Sequence, residues 1–113
     1  RDPGDPSGPV SEATLGGYMA THGRAAAFGG SDGQAYSVGI WTDEVPDERG
    51  RFGAALVFVR WDSAGERPIG HVETDYLAWG PTALQAEERL KAISLFDVKQ
   101  ALDEAIAARP EGW

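Results

Sequence analysis

His71, Glu73 and Asp75 are the residues whose types and spacing could do chemistry. Alternate residues of an extended chain point the same way, so all three would share one side of one strand, within about 13–14 Å. An imidazole with two carboxylates can hold a divalent metal, or pair a base with an acid. Three ligands in one straight row rarely close around one ion. The same pattern also reads as a charged, solvent-facing strand side that guards an edge. An arginine across from Glu73, Arg51 or Arg60, would make it an ordinary cross-strand ion pair.

Other constellations are weaker. Asp43-Glu44-Val45-Pro46-Asp47-Glu48 is acidic, but it lacks the alternating oxygen ligands, central glycine and closing glutamate of a calcium loop. Gly29-Gly30-Ser31-Asp32-Gly33 has the composition of a phosphate cradle. A strand follows it, where a phosphate loop needs a helix N-terminus, so it reads as a turn. His22 stands beside Gly23-Arg24 in a loop-like stretch. There is no Gly-x-Ser-x-Gly elbow, and the chain has no cysteine. Cysteine nucleophiles, thiolate zinc sites, disulfide frameworks and cysteine-ligated clusters are thereby excluded. No cofactor is expected.

The elements that must position these residues follow from periodicity. Three stretches read as strands: Ala35 to Thr42, Phe52 to Trp61 and Ile69 to Trp79. Each is rich in β-branched and aromatic residues and is bounded by Gly, Pro and Asp. Their connections are short, which favours antiparallel neighbours and a meander. Two helices close the chain. Thr82 with Gln85 and Ser94 with Asp97 are start signals. Leu84, Ala86, Leu90 and Ile93 supply the apolar positions of the first helix. Leu95, Val98, Leu102 and Ile106 mark one face of the second.

Residues 1–34 hold eight of the fifteen glycines and three of the seven prolines. They read as a flexible or extended arm, with a short helix at 11–20 capped by Ser11 and weakened by Gly16 and Gly17. The expectation is one α+β domain over 35–113. It is a three-stranded antiparallel meander followed by two helices, behind a Gly/Pro-rich arm.

Period-2 alternation puts Tyr36, Val38 and Ile40 on one side of the first strand, and Ser37, Gly39 and Trp41 on the other. Val72, Thr74 and Tyr76 share one side of the third strand. The central strand is apolar on both sides: Phe52, Leu56 and Phe58 against Ala55, Val57 and Val59. Such a strand is normally covered on both faces, yet two helices cover one. Trp61 and Trp79 end strands and are expected to close the core. Trp41 shares its side with Gly39, which leaves room for another chain. Trp41, Gly39, Val57, Val59 and the terminal Trp113 are therefore the expected partner-binding residues.

Eighteen acids against ten Lys and Arg give a net charge of −8. That excludes a general nucleic-acid binder, which needs cations to neutralise phosphates. It suits a basic partner surface. No apolar run reaches membrane-spanning length, so no insertion is expected. Eight of the ten cations are arginine, as in a GC-rich bacterial genome. A cytoplasmic location is expected. Because the chain starts at Arg1, a removed signal peptide is compatible with it.

Gly80-x-Thr82-x-x-Gln85-Ala86-x-x-x-Leu90-x-x-Ile93, following a strand, resembles the strand-to-helix junction of HicB-type antitoxins. The resemblance covers residues 80–93. It implies a three-stranded meander followed by a helix, and a basic toxin as partner. The family's proline- and glycine-bearing stretch before the third strand has no counterpart here. Outside these residues the chain resembles a bacterial family without an assigned activity.

The leading expectation is a non-catalytic interaction or accessory protein. It would bind another protein, or a second copy of itself, through the second sheet face or a sheet edge. The alternatives are a small metal-assisted or acid–base enzyme using His71, Glu73 and Asp75, and an antitoxin-like module.

Overall fold

A computed structural model of the chain describes residues 14–22 and 28–109. Over these residues the fold is α+β. In chain order the elements are α1 (Leu15–His22), β1 (Phe28–Gly29), β2 (Ala35–Thr42), β3 (Phe52–Trp61), β4 (Pro68–Glu73), β5 (Ala78–Gly80), α2 (Ala83–Lys91) and α3 (Leu95–Ala108). The strands form one antiparallel sheet in the order β1-β2-β3-β4, and β5 also pairs with β3. The meander of long strands lies where alternation puts it.

β2 and β3 are in register from Ala35↔Trp61 to Thr42↔Ala54. The hairpin loop between them is held by its own acids. Asp47 accepts from the backbone amides of Arg49 and Arg51 and from the Arg51 Nε. Gly50 supplies the positive φ of 77° that ends the turn.

The expected third strand is interrupted. β4 pairs with β3 up to Val57↔Glu73, and pairing resumes at Ala54↔Ala78. Ala55 and Leu56 therefore face four residues, Thr74 to Leu77, in a wide bulge. The Thr74 hydroxyl accepts from the Leu56 amide at 3.0 Å and donates to the Asp75 carbonyl at 2.7 Å. A side chain thus stands in for the main-chain ladder at the break.

The core lies on one face of the sheet. Tyr36, Val38, Leu56, Phe58 and Val72 meet Leu90 from α2 and Val98, Leu102 and Ile106 from α3. Both expected caps form: Thr82 accepts from the Gln85 amide, and Ser94 from the Asp97 amide. Leu84 is a correction. It is 66 % exposed and stands on the outer side of the first turn of α2.

The boundary at residue 34 is also corrected. Leu15 and Tyr18 of α1 are buried in this same core, and β1 extends the sheet beside β2. Thr14, three residues beyond the expected Ser11, caps α1 by accepting from the Gly17 amide. Ser11 itself lies outside the described residues. Gly16 lets α1 approach α2, since a Cβ there would meet Lys91 Cβ at 3.1 Å. The glycine that weakens the helix locally is what allows it to dock.

Asp32, 11 % exposed, ties the β1–β2 turn to α3. It accepts from the Tyr36 hydroxyl at 2.7 Å, the Gln34 amide at 3.0 Å and Arg109 at 3.2 Å, with Arg60 at 3.7 Å. Burial pushes its carboxyl up, but these hydrogen bonds and the Arg60 charge outweigh burial and hold it below the usual carboxylate range. Burial and the Asp32 contact push the Tyr36 hydroxyl up to about 12. The glycine-rich segment is a turn with its acid consumed by structure.

Candidate functional site

The second sheet face carries the odd-numbered residues of β2 and β3. Ser37 pairs with Val59, Gly39 with Val57 and Trp41 with Ala55. Val59 and Val57 in turn pair with His71 and Glu73. No helix among the described residues packs its core positions here, since those belong to the opposite face. Trp41 is 49 % exposed, and Val57 and Val59 are partly buried. A Cβ added to Gly39 would meet nothing closer than the Val57 carbonyl at 3.9 Å. These four residues, with Ser37, Met19 of α1 and the core-side Val38 and Ile40 of β2, line an open groove of about 440 Å³. Trp113, the fifth expected partner-binding residue, lies outside the described residues.

The described tryptophans, Trp41, Trp61 and Trp79, are not in the core. Trp61 donates from its indole N–H to the Ser37 hydroxyl at 3.0 Å, which covers that end of the second face. Trp79 pairs with Gly53 and is 36 % exposed. The expectation that both close the core is corrected. Trp41, Trp61 and Trp79 occupy odd positions and share the second face.

Tyr76 joins them, although alternation put it on the core side. The bulge at 74–77 frees it from the pleat, and Gly53 makes room. A Cβ at Gly53 would sit 2.7 Å from the Tyr76 ring. Tyr76 lies parallel to Trp41, with ring centroids 6.2 Å apart and planes at 5°. It meets Trp79 edge-on at 6.3 Å. Its hydroxyl donates to Asp43. That bond and the Val45 amide hold the Asp43 carboxyl below the usual range, and Asp43 in turn raises the Tyr76 hydroxyl. Trp79 is held from behind, because Arg89 of α2 donates to its carbonyl. The Arg51 guanidinium lies 5.5 Å from the Trp79 ring centroid.

Beside this cluster is an open cleft of about 540 Å³. Ala55 is at its floor, and Glu73, Thr74 and Asp75 line it with the three rings. His71 and Glu73 approach to 3.4 Å, both well exposed. Glu73 stands across from Val57, not from Arg51 or Arg60. Asp75 is displaced from the row by the bulge. Among the described residues no group of three His, Asp or Glu side chains is placed to hold one metal ion. The Asp75 carboxylate has no hydrogen-bond or ion-pair partner among them either. His22 is remote in chemistry from these groups, with its ring 4.8 Å from that of Tyr18.

Tyr76, Trp79, Thr74 and Ala55 are the site residues that the sequence reading missed. A signal existed for Trp79, since simple alternation from His71 already puts it on the side of Glu73.

No family model, no curated protein and no solved structure matches the chain. No helix among the described residues is long and apolar enough to cross a membrane.

Proposed function

We propose that the chain is a non-catalytic interaction module that receives another protein on its second sheet face. The observation that supports this reading most is the two-sided character of β3. Leu56 and Phe58 are fully buried beneath helices, while Val57 and Val59 present apolar side chains to a groove flanked by exposed Trp41. Exposed, contiguous apolar and aromatic surface is the mark of an interaction site. A different protein fits better than a second copy. Each copy carries a charge of −8, and packing two such faces together would bring Glu73 and Asp75 against their own kind. An acid–base or metal-assisted role for His71, Glu73 and Asp75 has less support, because the bulge removes Asp75 from the row.

A photo-crosslinking residue at Val57 or Gly39, introduced into the full chain in its native cells, tests this reading. The expected result is one discrete heterologous adduct from either position, and none from the same residue at exposed Leu84. Adducts within the chain, or between two copies, would replace the proposed partner with the chain itself. An unchanged monomer would remove the proposal.

A further inference from the structure

The geometry points to the cleft between Trp41, Tyr76 and Trp79 as a receptor for a cationic side chain, arginine or lysine, carried by a basic segment of the partner. This inference deepens the reading of the second face as a docking surface and rests on it. Three observations carry it. The first is the aromatic cluster itself, whose three rings are all more than one-third exposed and border an open cleft. Ring faces are electron-rich and attract guanidinium and ammonium groups. The second is that such a group is already there: Arg51 of this chain lies over Trp79, so the cluster takes a guanidinium within its own fold.

The third is charge. Glu73 and Asp75 line the same cleft as Trp41 and Trp79. The Asp75 carboxylate has no partner among the described residues, and that of Glu73 meets only His71. The neighbouring acids Asp43 and Asp47 are spoken for, by the Tyr76 hydroxyl and by Arg51 with two backbone amides. The cleft therefore combines aromatic faces with two carboxylates short of donors, in a chain of charge −8. A cation resting on the rings and donating to Asp75 satisfies both features at once. A neutral sugar would stack on the rings but would leave the carboxylate charge unanswered.

The test uses the full chain and three probes: a blocked peptide containing two arginines, the same peptide with citrulline in their place, and a neutral oligosaccharide. Citrulline keeps the planar shape and part of the N–H donor set, replaces one guanidinium nitrogen with a carbonyl oxygen, and removes the charge. Tryptophan fluorescence reports binding. The expected result is saturable binding of the arginine peptide, weakened about tenfold in the citrulline peptide. Binding is lost in Trp41→Ala and weakened about threefold in Asp75→Asn. Both positions are exposed, so circular dichroism should show intact folds. Equal binding of the two peptides would overturn the role of charge. Preference for the oligosaccharide, or no binding of any probe, would overturn the inference as a whole. A partner adduct at Val57 with no arginine-peptide binding would sink the cleft and leave the docking face standing. Peptide binding with no adduct would do the reverse.

Discussion

The two faces of one strand behave as two different materials. Leu56 and Val57 are adjacent in β3, yet Leu56 is fully buried under α2 and α3 while Val57 lies over an open groove. The acids follow the same division. Asp32, on the covered side of the molecule, accepts three hydrogen bonds and faces two guanidinium groups. Asp75, beside the open face, has none of these. What differs is not residue type but whether neighbours have used the residue's capacity to interact. Buried and satisfied groups hold the fold; exposed groups with capacity to spare are where a partner gains most.

The sharpest way to break this comparison is to truncate the two neighbours. Leu56→Ala should destabilise the chain by about 2–5 kcal/mol, because it removes buried methyls and leaves a cavity. Val57→Ala should cost about 1 kcal/mol or less, since part of its surface is already wet. Urea denaturation of both variants checks this, and equal losses would mean that both faces are packed.

Next in size is Asp32→Asn, expected to cost about 1–3 kcal/mol through weakened bonds to Tyr36, Gln34 and Arg109. It also has a pH signature. The folded Asp32 carboxyl is held below its ordinary value of 3.8. Its contribution is therefore fully present above that value, and is lost as the pH falls through the lower folded value. The variant should show a shallower loss of stability below about pH 4 than the parent. Thermal melts across that range would reveal it, and parallel acid limbs would contradict it.

Thr74→Val keeps the shape of the side chain and deprives the Leu56 amide of its acceptor. A loss of about 1–2 kcal/mol is expected. Hydrogen exchange should rise at Leu56 in particular, which would separate the bulge from the rest of β3.

The smallest effect on stability is expected from Gly53→Ala, about 1 kcal/mol or less. The new methyl must push the Tyr76 ring out of its place. Near-ultraviolet circular dichroism should lose the Trp41–Tyr76 stacking signal while the far-ultraviolet spectrum stays the same. An unchanged near-ultraviolet spectrum would mean that Gly53 does not seat the ring.

The parts of the fold legible in the sequence were those set by short-range rules. β2 and β3 begin and end at their expected residues because alternation and turn residues act over a few positions. The caps at Thr82 and Ser94 are legible for the same reason, since each reaches an amide three residues on. The break between β4 and β5 was not legible. Thr74 is a good strand residue, and its hydroxyl replaces the ladder only once Leu56 is beside it. Tyr76 crosses to the second face because of a missing Cβ at Gly53, in another strand. Docking of α1 depends on Gly16 against Lys91, a contact that local propensity penalises.

The candidate site was half legible. Alternation placed Trp41, Gly39, Val57 and Val59 together and was right about their common face. It also placed Trp61 and Trp79 there, and the habit of reading terminal tryptophans as core closers hid it. Spacing alone puts His71, Glu73 and Asp75 in one row. The bulge keeps His71 beside Glu73 and leaves Asp75 with the rings instead.

Docking on the second face of β3 requires that this face be open in the whole chain. Hydroxyl-radical footprinting of the full chain, read by mass spectrometry, measures this side chain by side chain. Phe96, 75 % exposed, and Phe58, fully buried, serve as internal limits. Trp41 and Val57 are expected to be oxidised readily for their types, Trp41 approaching Phe96, while Leu56 and Phe58 are protected. Protection of Trp41 and Val57 at the level of Phe58 would show the face to be already covered, and would contradict docking there.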